Sequence, residues 1–185
     1  PDDRKAGILL AATAGLRSPH HLYHSPLEWQ WLEHFQWRDA FIAALPDRLR
    51  ASLSVRLDPM GRDWGQPERI RACFPEVAQD DFKTPFLDRA RRARLVVTDH
   101  PTTVFLETLA LGAPSVHFWR EDRWEVRDGT RAAFAALKKA KIIHDSPEGA
   151  ALQVAAVYEN PRPWWDSPEV RQAREDFTRL FARTD

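Results

Sequence analysis

From Gly7 to Ala14 the chain reads GILLAATA, an apolar run of strand length without alternation. A strand buried on both faces has that pattern, which is the habit of parallel sheets. Leu27 to Leu45, LEWQWLEHFQWRDAFIAAL, instead spaces its apolar residues at helical intervals and stops at Pro46. The exchange of patterns then continues. ASLSVRLD (Ala51–Asp58) predicts a strand, PERIRACF a short helix opened by Pro67, and EVAQD a weak strand. Thr84 as N-cap and Pro85 in the first turn predict a helix over Thr84–Ala93. RLVVTD is the clearest strand, TVFLETLALG a helix closed by Gly112, and PSVHFW a further strand. RDGTRAAFAALKKAK reads as a helix, IIHD as a short strand, and SPEGAALQVAAVY as a helix capped by Ser146. SPEVRQAREDFTRLFAR forms an amphipathic helix in the closing segment, 167–185.

Strands alternate with helices from end to end, with no internal repeat or low-complexity tract. That order predicts an α/β fold: a doubly wound, Rossmann-like parallel sheet of about six strands flanked by helices, in a single domain. Ligands of such sheets bind beyond the carboxyl ends of the strands. The rule selects the loops 14–26, 58–66, 99–103 and 119–127.

Composition narrows the partners. The 185 residues carry 27 Lys and Arg against 27 Asp and Glu, a zero net charge that argues against a general nucleic-acid or anionic-membrane binder. Cys73 is the single cysteine, so neither an internal disulfide nor a cysteine-rich zinc site can form, in keeping with a reducing, cytoplasmic location. No apolar run reaches the roughly 18–20 residues needed to span a bilayer. PDDRKAG lacks the order of a signal peptide and precedes a strand abruptly, as expected of a segment of a longer chain.

Chemistry concentrates in the selected loops. In TDHPTT a helix starting near Thr102 or Thr103 directs free N–H groups and a positive dipole end outward, a site for phosphate to which two hydroxyls add donors. His100 shares that loop, and Glu107 lies one turn further in, within reach of a ribose hydroxyl. Arg17 and Ser18 follow the first strand after a glycine and offer a guanidinium and a hydroxyl to phosphate. Arg56, Asp58, Arg62, Asp63 and Trp64 gather after the second strand, as pocket residues or as a local ion-pair network. Trp119, Glu125 and Arg127 lie in HFWREDRWEVRDG, across the loop 119–127. Neither G-x-G-x-x-G nor the P-loop pattern is present, and HHLYH has no adjacent Glu of the H-E-x-x-H kind, so neither a dinucleotide cofactor nor a metal is expected.

These motifs carry a resemblance. The strand, hydroxyl pair and FLETLALGAPSVHFW resemble the donor-binding C-terminal half of GT-B glycosyltransferases. RLDPMGRDWG, HPTTVFLETLALGAPSVHFW, WEVRDGTRAAFAALKKAKIIHDSPEGAA and WWDSPEVRQAREDFTRLFAR resemble a bacterial family of transferases from O-antigen and surface-carbohydrate clusters. That resemblance spans Gly7 to Arg183 and implies transfer of a sugar from a nucleotide-activated donor to a glycan acceptor at the inner face of the cytoplasmic membrane. It further implies that Arg17, Ser18, Arg56, His100, Thr102 and Thr103 bind the donor phosphates and Glu107 the ribose. Asp58, Arg62, Asp63, Trp64, Trp119, Glu125 and Arg127 would border the sugar, and the catalytic base would come from an N-terminal acceptor domain. A more distant similarity to Kdo and sialic-acid transferases implies a CMP-linked donor, although Asp58-Pro59 stands where those enzymes carry His-Pro. Two other readings remain at this level: a sugar-nucleotide epimerase or polyol-phosphate transferase of GT-B-like fold, and a non-catalytic interaction module.

Overall fold

The structure, a computed structural model, describes residues 6–15 and 28–182. Its strands are β1 (Ala6–Ala12), β2 (Leu53–Leu57), β3 (Ala78–Gln79), β4 (Ala93–Thr98), β5 (Ser115–Phe118) and β6 (Ile143–His144). They form one sheet in the order β3-β2-β1-β4-β5-β6, every pair parallel. This is the doubly wound, Rossmann-like α/β arrangement, in which the chain lays strands to one side of β1 and then returns to lay the rest on the other. Leu10 pairs with Val55 on one flank and Val97 on the other, so the two most apolar strands sit at the centre.

Both faces of that centre are covered, which is why β1 and β4 show no alternation. Ile8, Leu10, Val55, Leu95, Val97 and Val116 meet Phe41 and Ile42 of α1 (Glu28–Ala44) and Ala150 and Val154 of α7 (Pro147–Val157). Phe41 stacks on Phe118 at 4.9 Å between ring centroids. On the opposite face Leu9 and Val96 pack on Ala90 of α4 (Phe86–Arg92). Phe105 and Leu109 of α5 (Thr103–Leu111) join Leu137 of α6 (Arg131–Lys139) and Val170 and Phe177 of α9 (Pro168–Phe181) in a second cluster. Trp165, wholly buried in α8 (Arg162–Trp165), ties this layer together by donating from Nε1 to the Gly112 carbonyl at 2.9 Å.

Local signals account for most boundaries. Gly112 ends α5 at φ 67°, where a side chain would be strained, and the Ser146 hydroxyl caps α7 by accepting from the Gly149 N–H at 3.1 Å. One start differs from expectation. α4 begins at Phe86, not Thr84: Pro85 is the cap residue with ψ 150°, and the Thr84 carbonyl accepts from Arg56 instead of entering the helix. The loop expected at PMGRDWGQ, after the second strand, is a 3₁₀ turn over Pro59–Trp64, followed by α3 (Gln66–Cys73).

Candidate functional site: a cleft at the strand-order reversal

Strand order reverses between β1 and β4, and a cleft of about 440 Å³ lies beyond their C-terminal ends. Its described lining comes from β1 and the residue after it (Ala11, Ala12, Thr13), the end of β2 (Arg56, Leu57, Asp58), Phe82 and Phe86 near α4, and His100, Thr102 and Thr103. Four separate chain segments therefore converge where a parallel sheet offers room for a ligand.

The floor beside β4 is a fixed polar assembly. Asp99 is 1% exposed, accepts from the Thr13 backbone N–H at 3.0 Å and faces two imidazoles. His100 Nδ1 lies 2.7 Å from its Oδ1, and His34 Nε2, from α1, lies 3.1 Å from its Oδ2. Burial alone would push the Asp99 carboxyl up. The facing His34 and His100 more than offset that and hold it well below the usual carboxylate range. Because an ionised carboxylate only accepts, His100 Nδ1 carries the hydrogen, which leaves Nε2 as the ring nitrogen free for chemistry in the cleft.

A third imidazole is held differently. His117 of β5 lies between the Thr98 hydroxyl, 2.8 Å from Nδ1, and the Ser115 hydroxyl, 2.9 Å from Nε2. Thr98 donates its one hydroxyl hydrogen to the His100 carbonyl at 3.1 Å, so it can only accept from His117. His117 is therefore the Nδ1–H tautomer and accepts from Ser115. Burial, followed by the nearby His100 and His144, pushes it down to about 3, so it stays neutral. The relay zips β5 to β4 and fixes the backbone of the loop that carries His100.

Above this floor α5 begins. Thr102 is its cap residue, yet its side chain makes no cap hydrogen bond, and Thr103 is exposed. The helix thus presents hydroxyls and first-turn N–H groups with the positive end of its dipole toward the cleft. An anion is the natural complement. Among the described residues no group of three His, Cys, Asp or Glu side chains is arranged to hold a metal ion.

The structure sorts the residues expected from sequence. Arg56, Asp58, His100, Thr102 and Thr103 converge on the cleft. The charge of Arg56 is already matched, because Nη1 donates to Asp80 at 2.7 Å and to the Thr84 carbonyl at 3.0 Å. Trp64 lies to the side, donating from Nε1 to the Gly15 carbonyl at 2.9 Å and packing on Phe35. Glu107 sits half-buried in the second turn of α5 and is not among the cleft lining. Trp119 is corrected outright: it is 3% exposed, its ring 5.5 Å from Phe105 and 6.2 Å from Phe134, a core residue with no face for a sugar. Glu125 and Arg127 are exposed on the segment leading to α6, outside the cleft lining. Arg17 and Ser18 lie outside the described residues, as do the side chains of Arg62 and Asp63.

Two contributors are absent from the sequence reading. His34 is one polar position within the long helix α1, and nothing in its spacing points to Asp99. Trp124 borders the assembly, its ring 6.4 Å from His100 and 6.3 Å from His34. Its place in a Trp-rich loop was visible, but not that it, rather than Trp119, turns inward beside the imidazoles. Beside them Arg38, wholly buried, donates from Nη2 to Gln66 of α3 and to Asp39, and its Nε and Nη1 find no hydrogen-bond partner among the described residues.

No curated protein sequence matches this chain. Among solved structures, the C-terminal CMP-Kdo binding domain of WaaA from Acinetobacter baumannii matches with 12% identity and a TM-score of 0.49, over 98% of this chain and 92% of that one. The model of the LIC12162 family transferases matches residues 2–185, nearly the full length, with the strand-order cleft, His34 and His100 inside the match. The chain belongs to the LIC12162 family of transferases.

Proposed function

We propose that this chain is the donor-binding domain of a glycosyltransferase that holds a nucleotide-activated sugar, CMP-linked in the first instance, for transfer to a bacterial surface polysaccharide of the O-antigen type. One observation carries the reading: the uncapped start of α5, with Thr102 and Thr103, opens onto a cleft of about 440 Å³ where the strand order reverses. The donor phosphate belongs at that helix start. There the dipole and the two hydroxyls offset the negative charge that builds on the leaving phosphate as the glycosidic bond breaks. No metal or redox cofactor has a part in this scheme. The glycan acceptor and the base that activates it are assigned to a region outside the cleft, working at the inner face of the cytoplasmic membrane. No described helix is long and apolar enough to cross a membrane.

Thermal unfolding in the presence of CMP, UDP, GDP and their sugar conjugates tests the reading. A nucleotide present at about a hundred times its Kd adds about 2.7 kcal/mol to the native state and raises Tm accordingly. At least one nucleotide class is expected to do so, with the shift reduced in Thr103→Ala. If none shifts Tm, the donor site does not exist. Incubating the sugar nucleotide alone separates an epimerase, which needs no acceptor, from a transferase.

A further inference from the structure

Beside the cleft lies a second cavity of about 360 Å³, formed by the ends of β2 and β3 and by α3. The two cavities share Leu57, Asp58, Pro59 and Phe82, so they make one continuous trough. Phe82 stands at the junction. Its backbone N–H donates to Asp80 Oδ1 at 2.8 Å, and its φ is 61°. The Asp80 side chain, 2% exposed, also takes Arg56 on the same oxygen and Arg89 on the other, at 2.7 and 2.9 Å. A single buried carboxylate therefore fixes both the aromatic residue and the guanidinium that lies over its ring, 4.5 Å from the centroid. Arg56 borders the first cavity and not the second, whereas Phe82 lines both.

A ring held in this way is a platform for a flat π-system, and nucleobases stack on such aromatic and guanidinium pairs. The polar groups around it are acceptors. Glu68 and Asp81 bring carboxylates, and Arg71, the cation of the described lining, is engaged by Glu68 at 2.7 Å. Gln79 donates one of its two amide N–H groups to the Pro67 carbonyl at 2.6 Å, and its oxygen adds a further acceptor. Carboxylates accept from an exocyclic amino group such as the cytosine N4 and have nothing to offer the O4 carbonyl of uracil.

We infer, granted the donor-binding reading above, that the second cavity is the nucleobase subsite of the donor, with Phe82 as its stacking platform and an acceptor-rich edge that selects an amino-bearing base over an oxo base. The phosphate at α5 and the base on Phe82 place the ribose at Asp58, which lines both cavities. Asp58 Oδ1 accepts from the Met60 N–H at 2.9 Å, and the other oxygen remains for a ribose diol. Ribose contact thereby moves from Glu107 to Asp58.

CMP and UMP differ at the base edge in question, and ribose 5-phosphate lacks the base altogether. Calorimetric titration of the full chain with the three probes is expected to show CMP binding about tenfold more tightly than UMP. Phe82→Gly keeps the left-handed backbone free of strain while removing the ring. It is expected to weaken CMP about tenfold and to leave ribose 5-phosphate unchanged. Glu68→Gln, on the exposed surface of α3, is expected to narrow the CMP-to-UMP ratio. Equal binding of CMP and UMP, or equal weakening of CMP and ribose 5-phosphate in Phe82→Gly, overturns the subsite while the phosphate site stands. Failure of all three probes to bind overturns the donor-binding reading and this inference with it.

Discussion

The segments leaving β4 and β5 start side by side at one edge of the sheet, and each carries aromatic and charged residues suited to a binding site. They are held by opposite means. The segment after β4 is tied through polar contacts: Asp99 to Thr13, His34 and His100, and Thr98 to the His100 carbonyl. The segment after β5 turns at once into the core, where Trp119 packs against Phe105 and Phe134. Beyond it the chain runs over the surface, with Arg120 and Arg123 paired to Glu33 of α1. The first arrangement leaves Thr103 and one His100 nitrogen for a ligand, whereas the second leaves no large face exposed at the strand end. Position relative to the strand-order reversal decides which segment becomes a site, and residue type alone does not.

The largest effect expected from this contrast comes from the aromatic anchor. Trp119→Ala should destabilise the protein by about 4 kcal/mol through the cavity it leaves, with nucleotide affinity per folded molecule unchanged. Urea denaturation and titration of the same sample check both halves, and a loss of affinity would return Trp119 to the site.

Acid acts on the contact between the two segments. The folded protein holds His117 near 3, below its ordinary value of 6.5, so the unfolded chain binds the extra proton as pH falls. Its contribution is full above about pH 6.5 and declines toward pH 3, a loss of about 3 kcal/mol between pH 7 and pH 4. Asp99, depressed in the fold, adds to the loss only below the ordinary carboxylate range, near pH 4. Denaturation midpoints across this range should slope from about pH 6.5, and His117→Gln should flatten the upper part of that slope.

Asp99→Asn tests the polar anchor. It keeps an acceptor for Thr13 but turns an amide toward an imidazole, which should cost about 2 kcal/mol and, unlike Trp119→Ala, weaken nucleotide binding as well. The smallest stability change belongs to Thr103→Ala, within about 0.5 kcal/mol because the residue is exposed and makes no cap bond. Its effect should appear in ligand affinity alone. Glu125→Gln, on the surface beyond β5, should alter neither quantity.

The sequence made the elements legible wherever periodicity or a stop signal was strong. β1 and β4 announced themselves by unbroken apolar runs, and α5 and α7 by Gly112 and Ser146. One-turn elements such as Asp47–Arg50 and Arg162–Trp165 escaped, because four residues show no periodicity. The loop 99–103 could be selected from sequence because it follows a buried strand and precedes a helix. The cleft itself could not, since it depends on β1 lying beside β4, about eighty residues apart in the chain. The pairing of His34 with Asp99 was hidden for the same reason, and Trp119 and Trp124 could not be told apart without knowing where β5 ends.

The hydroxyl clamp on His117 also makes that side chain an internal reporter. Its Nδ1 proton is enclosed between Thr98 and the sheet, so it should exchange with solvent slowly enough to be seen by nitrogen-edited NMR. The two ring-nitrogen shifts of a single fixed tautomer should stay well separated above about pH 4. Because Thr98 is simultaneously bound to the His100 carbonyl, a ligand that pulls the His100 loop toward itself would be registered at His117 as a change in line width or shift. The signal would come from a group that never touches the ligand, leaving the cleft free of any label.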